Sequence, residues 1–476
     1  MTSAKAVERP GEYRSEADFL GSVDVPARAY YGAQTSRAIA NFKISGTPIS
    51  EIPELIKSLA QVKKAAAIAN NKLGDLSDEK FRVIVTASDE IVDGKLVDQF
   101  PIDVFQGGAG TSTNMNVNEV IANRALELLG FERGRYDIIN PNNDVNLSQS
   151  TNDVYPTAIR LTLISTARQL IMSIRQLAGV FTEKGDEFSS IVKVGRTQLQ
   201  DAVPMTLGQE FQAFASSLQS EVAQLETAVT RLYEVNLGGT AIGTAINADP
   251  QFSEMVIRQL AEITHLPLVR ATDLIAASWD TGEFVSLASS LKRTAIKISK
   301  ICNDLRLLAS GPRGGLAEIV LPALQSGSSI MPGKFNPVIP EAVNQVAFHV
   351  IGAELTVTLA AEAGQLQLNA FEPVIVYSLV KAMTLMSAAM GVLKDCCVRD
   401  ISANAERCGA HLEASTALVT PLSPMLGYVK ATEFAREILA SGNSLRTLLE
   451  RDQIFPPDML DLLLNPVTLT RPRRLR

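Results

Sequence analysis

The stretch Gly327-Ser328-Ser329-Ile330-Met331-Pro332-Gly333-Lys334-Phe335-Asn336-Pro337 carries the most information about the fold. Two glycines and two prolines enclose two serines, a lysine and an asparagine, and apolar runs lie on both sides. Such a mixture of turn residues is typical of a loop. This loop also carries a hydroxyl, a fixed cation and an amide, which are the groups needed to bind a carboxylate and move a proton beside it.

Long helical patterns surround this loop. Apolar residues recur in steps of three and four and predict five helices, at about 158–188, 207–232, 284–308, 339–368 and 374–398. Helices of this length exceed the usual globular length and are typical of an elongated bundle. Apolar residues occupy more than one face of these helices, so a single bundle would leave apolar surface in water. We therefore expect a homo-oligomer.

The bundle predicts the domain organisation. We expect a central helical bundle domain at 146–400 and a mainly helical domain at 1–145, with helices at Glu51–Leu73 and Asp78–Asp93. A small domain at 401–476 follows, with turn signals and short helices. The expected fold class is mainly α, with three domains.

Composition narrows the functional class. The 476 residues carry a net charge of −7, which argues against a nucleic-acid-binding protein. Residues 1–5 lack the apolar core of a signal peptide, and no uninterrupted apolar run reaches membrane-spanning length. We expect a soluble, cytoplasmic protein with no membrane partner.

Metal and histidine chemistry are not expected. The four cysteines lack metal-ligand spacing and are interpreted as reduced thiols, and no metal ligands are predicted. The three histidines, His265, His349 and His411, each lie alone in apolar or mixed sequence. Because histidine is the commonest general acid or base, catalysis in this chain should run without it.

Four polar clusters interrupt the apolar pattern. The first three are Gly107–Asn114, Ser148–Asp153 and Gly195–Ala202, and the fourth is the loop at 327–337. Glycines let a backbone approach a ligand, and Ser148–Asp153 opens a long helix, where free N–H groups favour an anion. Taken alone, the first cluster is explained equally well by an ordinary tight turn, and a helix cap is the better explanation of the second. The clusters can meet only where helix ends converge, including ends from different subunits.

These clusters resemble the motifs of the aspartase/fumarase superfamily, in the same order and over nearly the whole chain. The matching blocks are Gly327–Pro337, Gly110–Asn116 and Ser148–Asp153. Within the superfamily, further segments are most similar to the aspartate ammonia-lyase branch: Tyr30–Thr35, Gly195–Met205, Ile301–Leu308 and Ala361–Asn369. The resemblance implies a homotetramer with a twenty-helix core and active sites built from three subunits. It implies no organic cofactor, and activation by a divalent cation such as Mg²⁺ in some members.

The resemblance also implies roles for individual residues in a dicarboxylate site. Ser328 would take a proton from the carbon next to the β-carboxylate, with its alkoxide stabilised by loop N–H groups and Lys334. Short donors are implied around the β-carboxylate: Thr111, Ser150, Thr151 and Ser329. Groups implied at the α-carboxylate are Thr197, Lys334 and Asn336. The amides implied around the amino group are Asn152 and Gln198.

The implied reaction is reversible deamination of L-aspartate to fumarate and ammonia through an aci-carboxylate intermediate. Fumarases usually have histidine where this chain has Gln198, and a non-titratable amide fits loss of ammonia better than loss of water. Glu341 can act through a bound water, so a class II fumarate hydratase acting on L-malate stays open. Asp144, Leu147 and Phe335 depart from the family pattern. They leave open a lyase for a substituted aspartate, and an inactive helical scaffold is a further alternative.

Overall fold

The computed structural model describes residues 12–471, apart from the side chains of Pro466 and Val467. The expectation that a signal peptide is absent concerns residues 1–5, which lie outside the described residues.

The chain begins with a hairpin and four helices. Strands β1 (Tyr13–Asp18) and β2 (Gly21–Pro26) pair antiparallel, and Asp18 lies opposite Gly21 at the turn. The helices that follow are α1 (Ala33–Asn41), α2 (Pro53–Leu73), α3 (Asp78–Val92) and α4 (Thr111–Leu128). Helix α2 begins at a proline, which suits a first helical position, and Gly74, with a φ of 87°, caps its C-terminal end in the left-handed conformation. The two helices predicted before residue 100 are confirmed.

Five helices of 25 to 37 residues dominate the middle of the chain. The elements in order are α5 (Thr151–Glu187), β3 (Val192–Thr197), β4 (Gln200–Thr206), α6 (Leu207–Arg231), β5 (Glu234–Val235), α7 (Phe252–Thr264), β6 (Val269–Arg270), α8 (Ala276–Trp279), α9 (Gly282–Leu308), β7 (Ile319–Val320), α10 (Val338–Glu362) and α11 (Glu372–Cys396). The predicted long helices are therefore confirmed.

Helix α5 begins seven residues earlier than the apolar pattern predicted, and it contains Pro156. A proline in a helix leaves the carbonyl four residues before it without its usual N–H donor. That carbonyl belongs to Asn152, and the side-chain Nδ2 of Asn236 donates to it at 3.0 Å. This replacement donor lets the helix continue through Pro156 and include the polar residues Thr151 and Asn152.

The C-terminal part is built from short helices around one apolar core. Its elements are β8 (Ser402–Ala403), α12 (Ala405–Ala414), α13 (Val419–Leu426), α14 (Tyr428–Ser441), α15 (Leu445–Arg451), α16 (Pro457–Leu463) and α17 (Pro466–Leu469). Leu422, Phe434, Leu445 and Leu448 are fully or almost fully buried in this core, and Val194 of β3 joins them.

Strands contribute little to the described chain. The pairs β1–β2, β3–β4 and β7–β8 are antiparallel, and β5–β6 is parallel; each sheet has two strands. The predicted mainly α class is confirmed.

The described chain divides into two compact units. The first combines the chain up to Leu170 with Gln224–Lys292 and Val350–Thr384. The second combines Ile171–Ala223, Arg293–His349 and the chain from Leu385 onward. Every boundary between the units falls inside one of the five long helices. The three domains at 1–145, 146–400 and 401–476 stay a prediction.

Two helices are long and apolar enough to cross a membrane by length and composition alone. They are Val338–Glu362 and Glu372–Asp400. Glu341 and Glu354 interrupt the first helix, and Lys381 interrupts the second. Only 28% and 39% of their most apolar windows are buried within the chain, so both helices offer apolar surface for contact with something else.

Candidate active site

A tight glycine turn positions Thr111 at the start of α4. Gly108 and Gly110 both have φ near +85°, a conformation that favours glycine. A Cβ on Gly110 would lie 2.5 Å from the ring of Tyr155, so no other residue fits. The Thr111 hydroxyl donates to the Gly108 carbonyl at 2.7 Å, and its side chain is exposed. The turn therefore presents a short polar side chain at a helix N-terminus, where anions are favoured.

Thr111 and Ser112 line a cavity of about 490 Å³ in the first unit. The β1–β2 turn, α1 and residues 140–142 form its other walls. Arg37 lies in the wall, but its guanidinium is paired with Asp18 (Nε–Oδ2 2.7 Å) and also donates to the Gly21 carbonyl. Polar and apolar residues both line the cavity, and its arginine is already paired with a carboxylate.

Asp144, one of the departures from the family pattern, closes a turn. Residues Pro141–Val145 form one turn of π-helix, and Asn140 caps it by accepting from the N–H groups of Asn142 and Asn143. The Asp144 carboxylate accepts from the Asn140 N–H at 2.7 Å and from Lys80 Nζ at 2.8 Å. An aspartate at this position is thus satisfied by a cap and an ion pair.

The polar segment at 148–153 caps α5. The Ser150 hydroxyl accepts from the N–H of Asn152 at 3.3 Å. The Thr151 hydroxyl accepts from Nδ2 of Asn114 at 3.0 Å, and Nδ2 of Asn152 donates to the Ala241 carbonyl at 2.7 Å. The first two predicted polar clusters therefore meet in the first unit, through Asn114 and Thr151.

Asp153 fixes this segment through hydrogen bonds from backbone N–H groups. Its buried carboxylate accepts from three backbone N–H groups, those of Ser150, Gly238 and Thr240, each at 2.9 Å. Burial raises the pKa of Asp153 to about 6. The three N–H groups and the charge of Lys63 lower the pKa, but the desolvation of the carboxylate has the larger effect. The start of α5 is therefore tied to the loop at 238–240.

In the second unit, Thr197 and Gln198 lie at the exposed end of the β3–β4 hairpin. Gln198 and Leu199 have φ of 54° and 62°, the pattern of a type I′ turn. Neither is glycine or asparagine, so the turn holds two side chains in a conformation that is unfavourable by about 1 kcal/mol each. The turn places the Gln198 side chain at the exposed end of the hairpin.

A buried charge network supports the base of this hairpin. Glu318 has no solvent exposure and pairs with Lys193 and Arg196 of β3, each at 2.8 Å, and with Nδ1 of His411 at 2.9 Å. Burial by itself would raise the pKa of Glu318, but the hydrogen bond from Arg196 and the charge of Lys193 outweigh it and lower the pKa to about 2. Glu318 therefore stays ionised and ties the hairpin to α12.

The loop at 327–337 folds back on itself around Ser328. The Gly327 N–H donates to the Lys334 carbonyl at 2.9 Å, and a Cβ on Gly327 would lie 2.4 Å from that oxygen. Nδ2 of Asn336 donates to the Gly327 carbonyl at 2.8 Å. The Ser328 hydroxyl oxygen accepts from the N–H groups of Ile330 and Met331, at 3.2 and 3.1 Å. Two backbone donors therefore point at the oxygen that was predicted to become an alkoxide.

The other predicted residues of the second unit are accessible. Ser329 and Lys334 are exposed, and Phe335 is 63% exposed, so this aromatic ring does not pack into the unit. Glu341 lies in the first turn of α10, and one of its oxygens is 3.8 Å from Nη2 of Arg306.

The predicted site residues fall into two groups. The first unit holds Thr111, Ser150, Thr151 and Asn152. The second unit holds Thr197, Gln198, Ser328, Ser329, Lys334, Asn336 and Glu341.

Sequence reasoning assigned no role to several buried ionisable residues, among them Lys63, Asp153 and Glu318. Lys63 interrupts an apolar helical stretch, which is a signal that could have drawn attention to it. Within residues 12–471 there is no group of three or more His, Cys, Asp or Glu that could hold a metal ion. Burial raises the pKa of the Cys408 thiol to about 11, so this thiol is unreactive near neutral pH.

Comparisons with known proteins match most of the chain. Residues 21–352 match the family described as "Lyase", and residues 418–471 match the family described as "Fumarase C C-terminus". A protein of Pseudomonas canavaninivorans named aspartate ammonia-lyase is 54% identical over 97% of this chain and 98% of its own length. A protein of the same name from Bacillus subtilis is 48% identical over 97% of both chains.

Solved structures are also closely similar. A fumarate lyase:delta crystallin from Brucella melitensis, bound to cobalt, superimposes with a TM-score of 0.94 and 54% identity, covering 97% of this chain and all of that one. A class II fumarase from Schistosoma mansoni superimposes with a TM-score of 0.91 and 34% identity, again covering 97% of this chain and all of that one.

Proposed function

The chain belongs to the lyase family of the aspartases and class II fumarases, and from that premise we propose that it deaminates L-aspartate reversibly to fumarate and ammonia. The observation that carries the mechanism is the Ser328 hydroxyl oxygen with two backbone N–H groups directed at it. Relatives of 48–54% identity over nearly the full length carry the name aspartate ammonia-lyase, which supports aspartate as the substrate.

The chemistry demands stabilised negative charge. Removing ammonia requires loss of a proton from C3, next to the β-carboxylate, and that carbon is a very weak acid. The charge spreads onto the carboxylate to form a dianionic aci-carboxylate. Oriented donors stabilise such an intermediate by roughly a few kcal/mol each when they bind it better than the substrate.

Ser328 is the proposed base. A serine hydroxyl becomes basic enough only when its alkoxide is stabilised. The N–H groups of Ile330 and Met331 provide that stabilisation at the oxygen itself. The ammonium of Lys334, on the same loop, adds a positive charge nearby.

The substrate carboxylates would be divided between short donors and fixed polar groups. Around the β-carboxylate the proposal places Thr111, Ser150, Thr151 and Ser329. At the α-carboxylate it places Thr197, Lys334 and Asn336. One N–H of Asn336 holds the Gly327 carbonyl, and its second N–H remains for substrate. Asn152 and Gln198 would contact the amino group.

The leaving group separates the two candidate reactions. Ammonium departs as neutral ammonia without a proton donor, whereas hydroxide from L-malate needs one. Gln198 cannot supply a proton, and Glu341 near Arg306 is the carboxyl that could do so through water. The resemblance to a class II fumarase keeps L-malate as the second candidate, and the exposed Phe335 keeps a substituted aspartate as a third.

A homotetramer with active sites shared by three subunits is the proposed assembly. Large apolar side chains on α9, α10 and α11 are exposed in the single chain: Ile296, Phe348, Leu355, Leu359 and Val392. Their burial against other subunits would remove apolar surface from water. The proposed setting is the cytoplasm. The reaction draws on no organic cofactor, and activation by a divalent cation such as Mg²⁺ is proposed.

A paired assay tests the function. The purified protein is given L-aspartate or L-malate, with and without Mg²⁺, and fumarate is followed by its absorbance. We expect rapid fumarate formation from L-aspartate and little from L-malate. A preference for L-malate would assign the chain to the hydratases, and no fumarate from either substrate would contradict the proposed function.

A further inference from the structure

Lys63 is a lysine with no solvent exposure, and none of the steps above uses it. It lies on α2, and its Nζ donates to Oδ1 of Asn146 at 2.8 Å and to Oε1 of Gln149 at 3.0 Å. Within the described residues, no carboxylate lies within 4 Å of it. Lysine is rarely buried without an acidic partner, so an amine held by two amide oxygens calls for an explanation.

The two amide side chains that accept hydrogen bonds from Lys63 also donate hydrogen bonds to backbone carbonyls. Nε2 of Gln149 donates to the carbonyls of Val145 and Leu147, at 3.1 and 3.0 Å. Nδ2 of Asn146 donates to the Gln149 carbonyl at 3.2 Å. Lys63 therefore fixes the side chains that shape residues 145–149, the segment leading directly into Ser150 and Thr151.

A second path joins Lys63 to Thr151. Oδ1 of Asn146 accepts from Lys63 and also from Nδ2 of Asn114 and Asn118, both at 3.2 Å. Nδ2 of Asn114 also donates to the Thr151 hydroxyl oxygen at 3.0 Å. One amide oxygen thus connects the buried amine to a hydroxyl of the proposed substrate site.

The charged group that acts on the Lys63 amine is the carboxylate of Asp153, on α5. On α2 and α3, Lys64 pairs with Asp89 and Lys80 pairs with Asp144. Burial lowers the pKa of Lys63 to about 7, although the Asp153 charge opposes the shift. Two acceptors match the two N–H groups of a neutral amine, so the hydrogen bonds persist whether or not the amine is protonated.

We propose that Lys63 is a positioning residue for the ammonia-lyase reaction, holding Asn146 and Gln149 so that Ser150 and Thr151 present their hydroxyls to the substrate β-carboxylate. This inference rests on the proposed function, because that function assigns the two hydroxyls to substrate. Lys63 does not touch substrate and acts through the segment at 145–151.

The kinetic test compares two adjacent lysines of α2. Lys63→Met keeps the length of the side chain and removes the donors, leaving Oε1 of Gln149 unpaired. Displacement of the hydroxyls should lower kcat for L-aspartate by about 10- to 100-fold and raise KM. Lys64→Met is the matched control, because Lys64 pairs with the partly exposed Asp89 and should leave both constants unchanged. Wild-type kcat and KM in a folded Lys63→Met protein would overturn the proposal.

A double variant separates positioning from a general loss of stability. If Lys63 acts through Thr151, Thr151→Val in the Lys63→Met background should add much less than its effect alone. Full additivity would overturn the link between the two residues. Should Lys63→Met fail to fold, Gln149→Met removes the same hydrogen bond from the acceptor side and is judged by the same criteria.

Hydrogen exchange provides a readout that needs no substrate. Amides at 145–151 should exchange faster in Lys63→Met than in the wild type and in Lys64→Met. Unchanged exchange there overturns the inference whatever the activity. The exchange experiment and the activity assay can fail separately. If the wild type does not deaminate L-aspartate but Lys63→Met still exchanges faster at 145–151, the proposed function is contradicted and the anchoring role of Lys63 is supported.

Discussion

Glu318 is a fully buried carboxylate that basic side chains from two elements hold in place. Its pKa is lowered from an ordinary 4.5 to about 2, so the folded state binds its proton less tightly than the unfolded state. The stabilisation is therefore fully present above about pH 4.5 and is lost as the pH falls toward 2.

Glu318→Gln should destabilise the protein at neutral pH, because it leaves Lys193 and Arg196 without their buried counter-charge. Removing one partner of a buried pair typically costs about 3–5 kcal/mol. Denaturant unfolding at pH 7 and pH 4 measures the effect, and the variant should lose less stability than the wild type on acidification. Glu437→Gln, at an exposed pair with Arg451, is the control and should behave as the wild type. Equal stability of Glu318→Gln and the wild type would contradict the role of the network.

At single positions, the role of Ser328 stays a prediction, and the structure adds the geometry around it. Ser328 was singled out as a base whose alkoxide needs loop N–H groups, and two such groups are directed at its oxygen. Asp144 departs from the family pattern, and in the structure it accepts a hydrogen bond from the Asn140 N–H and pairs with Lys80. The buried partners of Lys63 and Glu318 lie far away in sequence, so local patterns could not reveal them.

The β3–β4 hairpin is the element where backbone strain and a predicted contact with substrate coincide. Leu199 is 71% exposed and has a φ of 62°, so its side chain is strained without being buried. Leu199→Gly should raise the free energy of unfolding by up to about 0.5 kcal/mol, because relief of the strain exceeds the entropy gained by the unfolded chain. Thermal and denaturant unfolding measure the change.

Val203→Gly provides the matched control on β4. Val203 is 45% exposed and is not among the described residues with positive φ, so glycine there should only destabilise. If Leu199→Gly lost as much stability as Val203→Gly, the claim that Leu199 is strained would be contradicted.

The long helices could be predicted because their apolar residues recur with a regular spacing over many turns. The ends of the helices and the short strands lack such a repeating pattern and could not be predicted. The apolar pattern predicts the start of α5 at about residue 158, and Ser148–Asp153 is interpreted as a polar cluster that opens a long helix. The structure continues the helix to Thr151 because Asn236, more than eighty residues away, replaces the missing donor. The hairpin carrying Thr197 and Gln198 was missed, as its turn lacks glycine and asparagine.

The whole chain exposes apolar surface on its longest helices, and assembly is the proposed explanation. Phe348 and Leu355 on α10 are 60% and 57% exposed. We expect light scattering to give a mass close to four copies of the 51.2 kDa chain.

Changing both residues, in Phe348→Glu/Leu355→Glu, should break the assembly and abolish activity if active sites are shared. A control pair at the exposed residues Leu439 and Leu462 of the C-terminal helices should leave the assembly intact. A monomeric wild type with full activity would contradict the proposed tetramer.

The transfer of the C3 proton to Ser328 is the central claim, and isotope incorporation tests it most directly. Wild-type protein and Ser328→Ala are incubated with fumarate and ammonia in D₂O, and NMR follows deuterium at C3 of the aspartate formed. We expect the wild type to form aspartate with one deuterium at C3, and the folded Ser328→Ala protein to form it at least about a hundredfold more slowly. Formation of the same product at the wild-type rate by Ser328→Ala would show that another group transfers the proton.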